Sequence, residues 1–146
     1  MKVLSKMTMA FSLIWLVCSP LTVSAGDIAV IANGGFPKDK VSLAYLNKVF
    51  LGEKEDEGRL QIFPLDYRDD GPLKRAFVGK VLSSTIGRYN TYWMKQVFRE
   101  GKTPPQGVQD AQAMLDAVLK TKGAIGYVDS DEFTNQSGAK VLYILR

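Results

Sequence analysis

Short, almost wholly apolar runs alternate along this chain with longer stretches in which apolar residues recur every three or four positions. Runs of the first kind are typical of buried strands, and stretches of the second kind are typical of helices that bury one face. Strands are predicted at 27–33, 60–65, 123–128 and 141–145. Helices are predicted from the N-cap Ser42 to Gly52, from about 70 to 82, over 85–99 and after the N-cap Asp110. This order predicts an α/β fold in which helices pack on a mixed sheet.

The helix over 85–99 is rich in aromatic residues, which could form a stacking surface for sugars or bases. It contains Tyr89, Tyr92, Trp93 and Phe98. Aromatic side chains at helical spacing usually pack into a core, so we predict that this cluster is packed. The side chains expected to share the core with Trp93 are Phe50, Phe77 and Ile125.

The first 25 residues have the pattern of a secretory signal peptide. Two lysines precede an apolar run over 7–17, and Val23-Ser24-Ala25 fits the small-residue rule for a cleavage site. The run is shorter than the roughly 20 residues that a membrane-spanning helix needs. We therefore predict cleavage after Ala25, a periplasmic location and no membrane insertion after cleavage. The remaining 121 residues, 26–146, are expected to form a single domain.

Composition excludes several kinds of chemistry. The chain has no histidine, and its one cysteine, Cys18, lies in the predicted signal peptide. Catalysis by a Ser-His pair or a cysteine nucleophile and metal binding through histidine are thereby excluded, so we predict no enzyme activity, no metal and no cofactor. Residues 26–146 carry 17 basic and 15 acidic side chains, a net charge of +2. A nearly neutral exported domain is not expected to bind nucleic acid.

The segment from Ile62 to Phe77 joins a predicted strand to a predicted helix, and such junctions often bind ligands. Asp70 is expected to cap the helix, and Pro72 suits its first turn because proline lacks the N–H that would have no intrahelical partner. The open backbone N–H groups and the Arg68 guanidinium together would form an oxyanion site. On the junction alone, a capped helix start with Arg68 solvated or paired with Asp69 is the simpler interpretation.

Four motifs in order give the chain a wider resemblance. They are Val49-Phe50-Leu51-Gly52, Arg68-x-Asp70-Gly71, Tyr92-Trp93-x4-Phe98-x2-Gly101 and Gly123-Ala124-Ile125-Gly126-Tyr127. In this succession the chain resembles the second lobe of the periplasmic phosphate-binding proteins that serve ABC transporters. The resemblance implies a three-layer-like single lobe of a type II periplasmic binding protein, with a mixed sheet flanked by helices.

The resemblance also implies a ligand site and the residues that form it. The family loop has the pattern R-x-D-G-S-G-T, and Arg68, Asp70 and Gly71 match it, whereas Pro72-Leu73-Lys74 replaces Ser-Gly-Thr. Arg68 is expected to pair with a phosphate or other small oxyanion, to which the Gly71 N–H would also donate. Asp70 is expected to cap the helix or to accept a hydrogen bond from a protonated ligand. The charge of Lys74 is expected to compensate for the missing Ser and Thr hydroxyls. Family members have two lobes that enclose the ligand, so a single lobe is expected to bind weakly.

Two interpretations of function follow. The first is an exported domain like a phosphate-transporter substrate-binding protein, with weak phosphate or oxyanion binding. The alternative is a non-catalytic periplasmic module that has lost ligand binding and interacts with an envelope protein or with a second copy of itself. An electropositive pocket at Arg68 would favour the first, and an exposed apolar surface would favour the second.

Overall fold

The computed structural model describes residues 26–133 and 138–146. The helices are α1 (Leu43–Phe50), α2 (Pro72–Leu82), α3 (Ile86–Glu100) and α4 (Ala111–Lys120). The strands are β1 (Ile28–Asn33), β2 (Asp56–Glu57), β3 (Leu60–Gln61), β4 (Phe63–Tyr67), β5 (Gln106–Val108), β6 (Ala124–Asp129) and β7 (Ala139–Leu145). The predicted α/β fold with a mixed sheet flanked by helices is confirmed. The predicted signal peptide lies outside the described residues.

Five strands form one mixed sheet in the order β5-β4-β6-β1-β7. Strand β4 runs parallel to both β5 and β6, and β1 runs antiparallel between β6 and β7. The carboxyl ends of β4, β5 and β6 therefore lie at one edge of the sheet, which we call the C-terminal edge. In open α/β sheets, ligands bind beyond the carboxyl ends of the strands.

The sheet has a hydrophobic core on each face, which explains why its central strands are almost continuously apolar. Val30 of β1 faces a core that contains Phe77 of α2 and Trp93 of α3. The next residue, Ile31, belongs to the opposite core, in which Met114 of α4 is buried. Helices α1, α2 and α3 thus cover one face and α4 covers the other, which gives three layers.

Two helix starts follow the side-chain caps that the sequence predicts. The Ser42 hydroxyl accepts a 3.1 Å hydrogen bond from the Tyr45 N–H at the start of α1. The Asp110 carboxylate accepts a 2.8 Å bond from the Ala113 N–H at the start of α4. Each side chain satisfies a backbone donor that the helix itself leaves without an acceptor.

The cap predicted for α2 is wrong. The N-cap residue is Gly71, which has an extended backbone (φ −68°, ψ 175°) and no side chain to accept from the helix. Asp70 lies one residue earlier, and its carboxylate is 3.2 Å from the Lys74 ammonium. The attraction between these two charges keeps the Asp70 side chain away from the capping position. Pro72 is the first residue of α2, as predicted.

The prediction of a packed aromatic cluster on α3 is confirmed except at one residue. Tyr89 and Trp93 are buried, and the predicted core residues Phe50, Phe77 and Ile125 are buried with them. The exception is Phe98, which is 84% exposed.

Strands β2 and β5 were not predicted, and the single strand predicted at 60–65 is divided into β3 and β4. Strands β2 and β3 form a two-stranded antiparallel hairpin in the acidic segment, and β5 joins the edge of the main sheet after Pro104 and Pro105. Among the described residues, no helix is both long enough and apolar enough to cross a membrane.

Candidate functional site

The junction predicted as an anion site lies at the C-terminal edge of the sheet. Strand β4 ends at Tyr67, Arg68 follows it, and α2 begins at Pro72. The four residues of the predicted site, Arg68, Asp70, Gly71 and Lys74, are thus held within seven consecutive positions between a central strand and a helix. This is where the fold places the open donors of a helix N-terminus.

The start of α2 leaves backbone donors available. The first bond of the helix runs from the Arg75 N–H to the Gly71 carbonyl, at 3.0 Å. The N–H groups of Leu73 and Lys74 donate to no other residue in the described part of the chain, and Pro72 has no N–H to give. Two adjacent amides at the positive end of the helix dipole can therefore donate hydrogen bonds to an anion.

Arg68 is exposed and is held against β5. Its backbone N–H donates to the Val108 carbonyl at 2.9 Å, and its Nε donates to the Gly107 carbonyl at 3.2 Å. A Cβ on Gly107 would lie 2.8 Å from the Arg68 Cγ, so the absence of a side chain there allows the arginine to cross the strand. Within the described residues, Arg68 makes no ion pair with Asp69 or any other acid. The terminal guanidinium nitrogens are left to bind solvent or an anion.

Lys74, in contrast, is buried and fully engaged. Its ammonium lies 3.3 Å from the Asp66 carboxylate and 3.2 Å from the Asp70 carboxylate, and it donates a 2.9 Å bond to the Tyr67 carbonyl. The three protons of an ammonium can serve these three acceptors. Lys74 therefore adds no unpaired positive charge to the site.

The carboxylates beneath Lys74 belong to a buried polar network. Asp66 is itself buried and accepts bonds from the Tyr127 hydroxyl and from the Tyr67 N–H at 2.8 Å. The other oxygen of Asp70 accepts a 3.3 Å bond from the amide of Asn90 on α3. The network ties β4, β6, α2 and α3 together around the Lys74 ammonium.

The pKa of the Tyr67 hydroxyl reflects the negative charge at this edge of the sheet. Burial first, and then the negative charges of Glu132, Asp110, Asp66 and Asp129, raise the pKa of the Tyr67 hydroxyl well above its usual value. Several carboxylates therefore lie close enough to the end of β4 to oppose an incoming anion. Arg68 and the start of α2 are a local positive feature in an acidic setting.

A cavity of about 740 Å³ lies at the other end of the same strands. Phe63 at the start of β4 and Gln106 at the start of β5 line it, together with Trp93, Lys102 and Pro104. It does not include Arg68, so the electropositive pocket expected at that residue is not this cavity.

The residues that support the site were not all predicted. Asp66 interrupts an apolar strand, and a charged residue at a strand position is a signal that could have indicated a buried partner. Asn90 and Gly107 gave no such signal, because each is distant in the sequence from the junction and reaches it through the fold.

Taken together, these features define a three-layer α/β domain in which helix α2 begins at the C-terminal edge of a mixed sheet. Solved structures of phosphate substrate-binding proteins have a similar fold. Sequence comparison alone gives no match, either to a family profile or to a curated protein.

One similar structure is from Clostridium perfringens and is described as a phosphate ABC transporter substrate-binding protein with bound phosphate. The superposition has a TM-score of 0.64 at 14% identity, and it covers 82% of this chain and 46% of the Clostridium perfringens chain. An ABC-type phosphate transport receptor from Vibrio cholerae gives a TM-score of 0.61 at 11% identity, with 81% and 47% covered. A proposed phosphate-binding protein from Planctomyces limnophilus gives 0.56 at 16% identity, with 81% and 42% covered.

The predicted resemblance is confirmed at the level of the fold. The chain spans less than half the length of each of these structures. All three are described as phosphate transport or phosphate-binding proteins, and none as an enzyme.

Proposed function

We propose that this chain is an exported, non-catalytic domain that binds phosphate, or a small oxyanion of the same shape and charge, weakly at the start of α2. The observation that carries the proposal is the pair of open amides at Leu73 and Lys74, which follow the loop that begins with the exposed Arg68. The likeness to a structure described with bound phosphate supports the choice of ligand.

Each residue of the site has a distinct part in this proposal. The Arg68 guanidinium pairs with the anion and is the one arginine of the loop that precedes the helix. Gly71 keeps the helix start free of a capping side chain, so that the ligand can take the place of the cap. Asp70 accepts a hydrogen bond from a protonated ligand oxygen. Lys74 supplies a backbone amide, whereas its ammonium stabilises the loop through Asp66 and Asp70.

The affinity is expected to be millimolar. Two or three charge-assisted hydrogen bonds contribute about 1.5 to 3 kcal/mol each, a gross gain of roughly 3 to 9 kcal/mol. Loss of translational and rotational freedom costs at least about 4 kcal/mol, which leaves at most about 5, and millimolar binding corresponds to about 4. The carboxylates around Tyr67 and the solvation of an open site reduce the gain further.

The first prediction concerns Arg68. In a calorimetric titration with inorganic phosphate, we expect a dissociation constant of about 1 mM or weaker for the wild-type chain and a loss of at least about tenfold for Arg68→Ala. Arg99→Ala is the matched control, because Arg99 is an exposed arginine at the far end of α3. Equal effects of the two substitutions, or micromolar binding by the wild type, would contradict the proposed site.

A loop variant separates the contribution of the donors from that of Lys74. Pro72→Ser with Leu73→Gly restores one backbone N–H and one hydroxyl, and it retains Lys74 so that Asp66 keeps its partner. We expect phosphate affinity to rise by less than about tenfold, because both added donors compete with water at an open site and each then contributes about 0.5 kcal/mol, the low end of the usual range.

A second candidate function is favoured by Lys74. Its ammonium already neutralises the two nearest carboxylates and closes the loop without any ligand. A module that has lost ligand binding would be stable in this form and would serve as an interaction domain for an envelope protein or a second copy. No heat and no chemical-shift change with phosphate at high millimolar concentration would establish this second candidate over the first.

A further inference from the structure

The solvent-facing side of α3 carries two adjacent stripes of different chemistry. The apolar stripe consists of Met94, Val97 and Phe98, whose side chains are 60%, 41% and 84% exposed. The basic stripe consists of Arg88, Lys95 and Arg99, which are all exposed. The opposite side of the helix packs into the core through Tyr89 and Trp93. The helix therefore presents a surface that residues 26–133 and 138–146 leave uncovered.

Helical geometry places the two stripes side by side. Met94 and Phe98 are four residues apart, as are Lys95 and Arg99, so each pair lies along one line of the helix surface. The two lines are rotated by about 100° from each other, because each basic residue follows its apolar neighbour by one position. An apolar strip about one turn long is thus bordered along one side by positive charge.

The basic stripe has no partner in the described residues. None of Arg88, Lys95 and Arg99 forms an ion pair there. An exposed phenylalanine on a helix otherwise rich in charge lowers solubility without contributing to packing. The exposed apolar stripe and the basic stripe would both be stabilised at a surface that has an apolar interior and anionic groups on its outside.

We propose that this face of α3 docks on the surface of an anionic lipid bilayer, with Phe98 and Met94 inserted at the level of the headgroups and the basic stripe against the lipid phosphates. Amphipathic helices with basic residues beside an apolar face bind such interfaces without spanning the membrane. The charge complementarity is direct, since the three basic side chains face the anionic headgroups while the apolar side chains leave water.

The size of the patch favours a bilayer over a protein partner. A stable protein interface buries about 800 Å² on each side, which is some 20 to 30 residues. The apolar stripe has three residues. Shallow insertion of one or two side chains, assisted by basic residues, needs no such area, because each basic residue near an anionic surface raises binding about fivefold.

The test measures co-sedimentation with lipid vesicles. Every described helix and strand lies between residues 28 and 145, so the chain that begins at Gly26 contains the whole fold and lacks the apolar run at 7–17 that would bind lipid by itself. This chain is mixed at low ionic strength with vesicles of phosphatidylcholine, alone or in an equimolar mixture with phosphatidylglycerol. We expect binding to the anionic vesicles, little binding to the neutral ones and release at high salt.

Two variants test the two stripes, and a third is the matched control. Phe98→Asp is expected to reduce the bound fraction by about tenfold or more through the apolar stripe. Lys95→Glu with Arg99→Glu is expected to reduce it by at least about 25-fold through the basic stripe. Lys48→Glu with Lys80→Glu makes the same change in net charge on exposed residues of α1 and α2, and we expect it to retain binding within about threefold. Circular dichroism establishes that each variant is folded.

Three outcomes would overturn the proposal. The first is equal binding to neutral and anionic vesicles, and the second is equal loss in the matched control. The third is concentration-dependent self-association without vesicle binding, abolished by Phe98→Asp. That result would show that the face docks on a second copy, whose carboxylates at the C-terminal edge supply the opposite charge.

Discussion

Lys74 holds the start of α2 against the end of β4. Its ammonium makes contacts with Asp66, Asp70 and the Tyr67 carbonyl, all within 3.3 Å. Asp66 is buried and depends on this partner, because a buried carboxylate without a counter-charge is costly. The lysine therefore shapes the proposed anion site without being a free donor to the anion.

This arrangement predicts that Lys74 is needed for stability. Lys74→Ala leaves the buried Asp66 without its cation, and we expect a loss of about 3 to 5 kcal/mol in the free energy of unfolding. Lys80→Ala, on the exposed side of the same helix, is expected to change it by less than about 0.5 kcal/mol. Urea denaturation of both variants makes the comparison. Equal, small losses would mean that the Asp66–Lys74 pair does not stabilise the fold.

The end of α1 is fitted to the side of α3. Helix α1 ends at Phe50, and Gly52 follows in the left-handed conformation with φ +67°. A Cβ at Gly52 would lie 2.8 Å from the Cη2 of Trp93. Two independent constraints thus favour glycine here, the backbone angle and the indole ring.

A pair of glycine substitutions separates these constraints. Gly58 has nearly the same angle, φ +68°, and has no heavy atom within 4 Å of its would-be Cβ. We expect Gly58→Ala to cost about 1 kcal/mol through the backbone alone, and Gly52→Ala to cost about 1 to 3 kcal/mol more because Trp93 must move. Thermal unfolding measures both losses, and equal losses would contradict the packing of Trp93 against the end of α1.

The sequence predicted the helices and strands that are long and periodic. The four helices and the strands β1, β4, β6 and β7 appear within a few residues of their predicted positions, because each buries a face whose spacing is visible in the sequence. The strands that the sequence did not predict, β2 and β5, have two and three residues and show no period. They form because neighbouring elements supply their hydrogen-bond partners, which local sequence cannot indicate.

The candidate site was predictable only in part, because only some of its residues are adjacent in the sequence. Arg68, Asp70 and Gly71 belong to one contiguous motif, so their proximity follows from the chain itself. The burial of Lys74 and the exposure of Phe98 depend on where Asp66 and the core lie after folding. A helical period locates the apolar positions but cannot show that the last turn of α3 extends beyond the core.

The whole molecule depends on tyrosines that must stay neutral. Burial above all, followed by nearby negative charge, raises the pKa values of Tyr67, Tyr89 and Tyr127 above the ordinary tyrosine value. The Tyr127 hydroxyl donates to Asp66, and the Tyr67 hydroxyl donates a 3.0 Å bond to the Tyr127 carbonyl. These protons link the central strands to the network beneath the site.

Stability is therefore expected to fall in alkali. Below about pH 10 these tyrosines are neutral in both folded and unfolded chains, and their contribution is fully present. Above about pH 10 the unfolded chain releases their protons while the folded chain keeps them, so each buried tyrosine lowers the free energy of unfolding by about 1.4 kcal/mol per pH unit. Urea denaturation at rising pH, followed by tyrosinate absorbance, measures the slope. A flat profile to about pH 11 would contradict the raised pKa values.

A nuclear magnetic resonance titration tests most directly whether the start of α2 is an anion site. Phosphate is added to the uniformly nitrogen-15-labelled chain beginning at Gly26, with chloride at matched ionic strength as the control. We predict that the amides of Leu73 and Lys74 and the Arg68 side chain shift together, with one dissociation constant of about 1 mM or weaker, and that Arg68→Ala abolishes the effect. Shifts confined to residues away from α2, or no difference between phosphate and chloride, would contradict it.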